Sequence, residues 1–251
     1  MTQFLASVRS REEAAIALEG GADIIDLKDP AKGALGALDP ARSREIVRFM
    51  AGRRPLSATV GDLRGCHDRV REAVARTAAL GVDFVKVGLF DAGIARGRLI
   101  ARLAPLAEQG VRLVAVLFAD RDGDPDCLDA LGEAGFAGAM LDTAEKSGGN
   151  LRCRRSRGEL RRFIAAAHAA GLFCGLAGSL RIDDVAPLLG LEPDYLGFRG
   201  SLCGGARTTG LDAAAVRAVR ARIPAGARRG ETGRIMASGP SEEVHDGMAR
   251  A

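Results

Sequence analysis

Ile24-Ile25-Asp26-Leu27-Lys28 alternates between two faces. In an extended chain successive side chains point to opposite sides, so Ile25 and Leu27 share one face and Asp26 and Lys28 the other. Apolar Ile25 and Leu27 suit a face packed on helices, which turns the charged pair toward the inside of the sheet. Phe84-Val85-Lys86-Val87 repeats the arrangement, with Lys86 inward and Val85 and Val87 outward. Working outward from these two runs, strands are expected at Phe4–Val8, Ile24–Lys28, Leu56–Val60, Phe84–Val87, Leu113–Phe118, Gly138–Leu141, Phe173–Ala177 and Tyr195–Phe198. Amphipathic stretches lie between them, among them Arg11–Gly20, Asp68–Ala79, Arg96–Glu108, Cys127–Ala134, Arg157–Ala170, Ile182–Leu189 and Leu211–Ile223. Several close on a glycine suited to a helix C-terminus: Gly20, Gly81, Gly110, Gly135 and Gly171. Eight strands in regular alternation with helices, within 251 residues, predict an α/β fold, a single (β/α)8 TIM barrel. The first strand is not followed by GxGxxG, which argues against a dinucleotide-binding sheet. The barrel domain is expected over 1–223. Residues 224–251, rich in Gly, Ala, Arg and Ser, are expected to form a mobile tail.

Composition narrows the function classes. Hydrophobic residues make up 47% and charged residues 27%, ordinary for a globular chain. No apolar run is long enough to span a membrane, and Met1–Ser10 lacks the pattern of a signal peptide, so a cytoplasmic protein with no membrane partner is expected. The five cysteines are scattered without a CxxC, and His67, His168 and His245 have no ligand spacing. Reduced thiols and no metal are expected. The net charge of +4 is modest, arginines and acids are interspersed, and one Tyr with no Trp offers little to stack on bases. Nucleic acid is therefore not an expected partner. The slight positive charge suits a small phosphate ester.

Lysine usage points to the chemistry. Of 36 basic residues only Lys28, Lys32, Lys86 and Lys146 are lysine, leaving 32 arginines. Arginine replaces a generic positive charge but not an amine that must lose a proton and attack carbon. Three of the four lysines fall at or just beyond a strand end, where such barrels carry their chemistry, which points to amine catalysis on a carbonyl substrate. Lys32 reads as ordinary solvated charge.

Strands two, four and six are alternate strands and share an interior layer. Lys28, Lys86 and Asp142, which ends the sixth strand, are thus expected to meet at the barrel mouth, with Asp26 two residues before Lys28 and Lys146 in the following loop. Paired amines with carboxylates nearby suit an amine that must be deprotonated near neutral pH. The same residues also suit an ion-pair network that only closes the barrel. Strands seven and eight end in small residues, Ala177-Gly178-Ser179 and Gly197-Phe198-Arg199-Gly200-Ser201. Gly178, Ser179, Gly200 and Ser201 are candidates for a phosphate cradle, because glycine lets backbone N–H groups approach an anion. Arg199 suits a phosphate clamp or an interior salt bridge.

Asp26-Leu27-Lys28-Asp29-Pro30, Gly33-Ala34-Leu35-Gly36-Ala37, Ser57-Ala58-Thr59-Val60-Gly61-Asp62, Lys86-Val87-Gly88-Leu89, Met140-Leu141-Asp142-Thr143-Ala144 with Lys146, and Leu176-Ala177-Gly178-Ser179 closely resemble one family, the (5-formylfuran-3-yl)methyl phosphate synthases. The resemblance runs from about Phe4 to Val219. It implies a lyase-type condensation of two glyceraldehyde 3-phosphates into a phosphorylated furan, with loss of phosphate and water, in methanofuran-type cofactor biosynthesis. It further implies a Schiff base on Lys28 and acid/base roles for Lys86, Lys146, Asp26 and Asp142. No metal or organic cofactor is implied. Two alternatives share parts of the pattern: a class I aldolase on another sugar phosphate, and a non-catalytic barrel binding phosphate or polyanions. Barrels of this kind often pack as homo-oligomers, so a homo-oligomer is open to this chain, but the sequence itself sets no oligomeric state.

Overall fold

The computed structural model describes residues 1–121, 125–145 and 148–224. Its parallel strands run in sequence order: β1 (Gln3–Val8), β2 (Ile24–Leu27), β3 (Leu56–Thr59), β4 (Phe84–Gly88), β5 (Leu113–Phe118), β6 (Gly138–Asp142), β7 (Phe173–Leu176) and β8 (Tyr195–Phe198). β8 pairs back on β1, from Gln3↔Tyr195 to Ala6↔Phe198, and closes the barrel. The helices among the described residues are α1 (Arg11–Glu19), α2 (Pro40–Met50), α3 (His67–Ala78), α4 (Gly93–Glu108), α5 (Leu128–Glu133), α6 (Leu151–Arg154), α7 (Arg157–Ala169), α8 (Val185–Leu189) and α9 (Ala213–Arg222). The single (β/α)8 barrel expected from the alternation is the fold observed.

The alternation also sorts the core correctly. Phe4, Ala6, Val8, Ile25, Leu27, Val85 and Val87 pack outward with helix residues such as Ile46, Val74 and Leu103. Leu5, Ile24, Phe84, Val114, Val116, Phe118, Met140, Phe173 and Tyr195 form a separate inner cluster. Phe84, Phe173 and Tyr195 fill its floor, with the first two rings edge to face at 5.5 Å. Gly175 is required there, because a Cβ would lie 2.0 Å from the Tyr195 ring. With the floor occupied by aromatic rings, the inward positions farther along the strands are left for polar groups.

Differences from the expected boundaries are local. β2 stops at Leu27, although the Lys28 N–H still donates to the Val8 carbonyl at 3.0 Å and so stays in line with the sheet. β6 runs on to Asp142. α2 is additional to the expected helices; Asp39 caps it by accepting from Ala41 and Arg42 N–H, and Pro40 opens it. The helix expected over Ile182–Leu189 opens as a 3-10 turn, Ile182–Asp184, before α8. After α1 the left-handed residue is Gly21 (φ 84°), not the expected Gly20, which stays right-handed at φ −73°. Of the expected tail, residues 225–251 lie outside the described residues, as does Lys146. Among the described residues no helix is long and apolar enough to cross a membrane.

Candidate active site

Asp26 and Lys86 sit at the centre of the barrel. Asp26 is fully buried on β2, and Lys86, 1% exposed, reaches it from β4 with its Nζ 2.7 Å from Oδ1. Ser57 on β3 donates to Oδ1 and Ser7 on β1 donates to Oδ2, both at 2.7 Å. Four neighbouring strands thus converge on one carboxylate. Burial alone would raise its pKa; the Lys86 and Lys28 charges and the hydrogen bonds from Lys86 and Ser57 outweigh that and hold it below the usual aspartate range. Asp26 is therefore an anion paired with a cation, beneath the surface of the site.

Lys28 and Asp142 lie above this pair. Both line a cavity of about 440 Å³ at the C-terminal mouth, which Asp26 and Lys86 do not reach. The Asp142 carboxylate accepts from Thr143 N–H at 2.7 Å. The loop after Lys28 is fixed from β3 and the loop that follows it. Thr59 Oγ1 donates to Gly36 O at 3.0 Å, and the Asp62 carboxylate accepts from Ala34 and Leu35 N–H. Gly33 (φ 97°) has Asp62 so close that a Cβ would lie 2.2 Å from Oδ2. Lys32, in the same loop, pairs with Asp29 at 3.2 Å and is 60% exposed, in keeping with solvated charge. The Asp120 carboxylate likewise accepts from Ala144 and Glu145 N–H, fixing the first part of the loop after β6.

Gly178, Ser179, Arg199, Gly200 and Ser201 all line the same cavity. Gly178 (φ 108°) and Ser179 (φ 50°) both take left-handed backbone, and a Cβ on Gly178 would lie 2.9 Å from Thr143 Cγ2. The Ser201 hydroxyl donates to the Leu180 carbonyl, tying the β7 and β8 turns together. Of the two roles open to Arg199, the structure displays the salt bridge. Its guanidinium pairs with both carboxylate oxygens of Glu13 on α1, both side chains being 5% exposed. It also donates to the carbonyls of Ser7, Arg207 and Thr209.

Several residues of the site escaped the sequence reading. Ser7 and Ser57 carried a signal: both are polar at inward positions between apolar outward neighbours, Ala6 and Val8 for one and Leu56 and Ala58 for the other. Arg207 carried none. It lies in the loop after β8, and its half-buried side chain lines the same cavity as Gly178 and Ser179. Among the described residues no three His, Cys, Asp or Glu side chains cluster as a metal site would require.

Comparison with known proteins matches the sequence to one family. The family model described as 4-HFC-P synthase matches residues 4–220. A Methylorubrum extorquens protein named provisionally as a (5-formylfuran-3-yl)methyl phosphate synthase is 45% identical over 225 residues, 87% of this chain and 92% of its own length. The (5-formylfuran-3-yl)methyl phosphate synthase of Methanosarcina mazei is 36% identical over 219 residues, 83% of this chain and 94% of its own. Among solved structures, 3-hexulose-6-phosphate synthase superposes with a TM-score of 0.63 at 17% identity, over 89% of this chain and 100% of that one, a likeness of fold.

Proposed function

The chain belongs to the 4-HFC-P synthase family, and from that premise we propose that it condenses two molecules of glyceraldehyde 3-phosphate into 4-(hydroxymethyl)-2-furancarboxaldehyde phosphate, with Lys28 carrying one triose as an iminium. The supporting observation is that Lys28 lines the cavity, which the Asp26–Lys86 pair beneath it does not reach. Two trioses bring six carbons and two phosphates. The product keeps six carbons and one phosphate, so one phosphate and two waters leave and no redox partner is needed.

The Lys28 amine adds to the aldehyde carbon of one triose and water departs as the iminium forms. The iminium acidifies C2; loss of that proton gives an enamine, whose electrons expel phosphate from C3. The three-carbon fragment then attacks the second triose, isomerised to its ketose, through C3 in an aldol step. Loss of water, ring closure through the remaining hydroxyl and a second loss of water give the furan, and hydrolysis of the iminium frees the aldehyde. Asp142, on the cavity wall, and Lys146 are the proton-transfer groups assigned to these carbons. Asp26 and Lys86 complete the acid/base set from beneath. Gly178, Ser179, Gly200 and Ser201 cradle a substrate phosphate with backbone N–H groups. The product would feed a methanofuran-type cofactor.

The test is incubation with glyceraldehyde 3-phosphate and borohydride, followed by peptide mass mapping. A three-carbon adduct on Lys28, with a furan-absorbing product when borohydride is omitted, is the expected result. An adduct without furan would indicate an aldolase instead, and no lysine adduct would rule out iminium chemistry.

A further inference from the structure

Two phosphorylated trioses bring two dianions into one cavity, and the function proposed above assigns one of them to the turns after β7 and β8. Resting on the function proposed above, the geometry points to Arg207 as the residue that binds the phosphate of the second triose. Among the described residues four cationic side chains line the cavity: Lys28, Arg181, Arg199 and Arg207. Lys28 is assigned to the iminium. The Arg199 guanidinium is spent on Glu13 and three carbonyls, so it has no edge left for a ligand. Arg181 is exposed, at the outer rim.

Arg207 differs from all three. Its side chain is half-buried at the cavity wall, and its hydrogen bond is a long one, 3.5 Å to the Gly33 carbonyl across the mouth. Among the described residues no carboxylate lies within ion-pair distance of it, and Asp142, on the wall of the same cavity, is the leading source of negative charge acting on it. Guanidinium offers a fork of donors that matches phosphate oxygens, and a half-buried one is already partly desolvated for the purpose.

The backbone around it is built to hold that position. Arg199 Nε donates to the Arg207 carbonyl at 2.9 Å and its Nη2 to the Thr209 carbonyl at 2.8 Å. Cys203 and Leu211 form an antiparallel bridge at the base of the loop, and Thr209 N–H donates to the Ala206 carbonyl at 2.8 Å. Glu13 is in turn gripped by Arg9, through Nε at 3.3 Å and through its backbone N–H at 2.8 Å. Arg199 and Glu13 are thus positioning residues for the loop that carries Arg207.

The experiment compares wild type with Arg207→Met and Arg207→Lys, reading Lys28 trapping by borohydride, furan formation and calorimetric titration with inorganic phosphate. Trapping needs one triose and furan needs two. For Arg207→Met the expected result is Lys28 trapping retained, KM for furan formation raised about 10- to 100-fold, and weaker inorganic phosphate binding, with part of each loss recovered in Arg207→Lys. A wild-type KM in Arg207→Met, or trapping lost in parallel with furan, would overturn the assignment. If wild type itself gives no adduct, the proposed reaction fails. The phosphate titration then still decides the anion site, because unchanged binding in Arg207→Met would overturn it and weakened binding would support it.

Discussion

Asp26→Asn keeps the volume of the side chain and one acceptor oxygen, but removes the counter-ion of Lys86, whose amine is 2.7 Å away and buried. Breaking a buried pair from one side costs about 3–5 kcal/mol. A ceiling follows from the alternative open to the folded variant, in which the amine gives up its proton. For a lysine of ordinary pKa, about 10.4, that costs about 4.6 kcal/mol at pH 7. A deficit of about 4 kcal/mol satisfies both figures. The ceiling falls by about 1.4 kcal/mol per pH unit and reaches about 2 kcal/mol at pH 9. The sign is fixed by proton counting: the unfolded variant binds a proton that the folded variant has released, so its stability rises with pH over this range. In wild type the lowered pKa of Asp26 acts at the other end. Its stabilisation is fully present above the ordinary aspartate value, about 3.9, and is lost as pH falls through the lower folded value. Urea unfolding followed by circular dichroism at pH 7, 8 and 9 measures the deficit. The expected course is about 4 kcal/mol at pH 7, shrinking to about 2 kcal/mol at pH 9. A deficit below about 1 kcal/mol at pH 7, or one independent of pH, would refute the argument that this carboxylate keeps a charged amine at the barrel centre.

Lys28→Arg retains the fold and the charge but lacks a nucleophile, so furan formation should fall by roughly 10³-fold or more with an unchanged circular dichroism spectrum; a fully active variant would exclude the iminium. Gly178→Ala places a Cβ 2.9 Å from Thr143 Cγ2 at φ 108°, and should cost about 1–3 kcal/mol in thermal unfolding while raising KM. Glu13→Gln leaves the Arg199 guanidinium without its carboxylate at a site only 5% exposed, and should destabilise by about 3–5 kcal/mol. Because Arg199 also holds the Arg207 carbonyl, KM should rise more than kcat falls, which steady-state kinetics on the folded fraction will separate.

The barrel was legible because period-two alternation is a local signal. Val85 and Val87 on one side of Lys86 fix which face looks inward without knowledge of any partner, and the inner and outer clusters follow from it. Lys28, Lys86, Asp26 and Asp142 were legible for the same reason, together with the scarcity of lysine. Their division into a buried pair and two cavity-facing groups was not, because it depends on how far a lysine stem reaches between strands. Glu13 and Arg199 stand 186 residues apart, and nothing local to either announces the other. Arg207 sits in a stretch of Gly, Ala and Thr whose shape is set by Arg199 rather than by its own sequence. Helix α2 did carry a local signal: Asp39 before Pro40 is a capping residue followed by a favoured first helical position.

Closure of the barrel by β8 on β1 has a consequence in time. Asp26, Lys28 and Lys86 belong to the first half of the chain and can gather while synthesis continues. Glu13 must wait for Arg199, and only then can the loop of Arg207 settle. Contacts so distant in sequence form late, after the entropy of a long loop has been overcome. On this ordering the amine is assembled before the anion site that completes it. A chain halted before its eighth strand would therefore carry Lys28 without the loop of Arg207, and on the function proposed above the capacity to hold two trioses at once would be the last property the folding protein acquires.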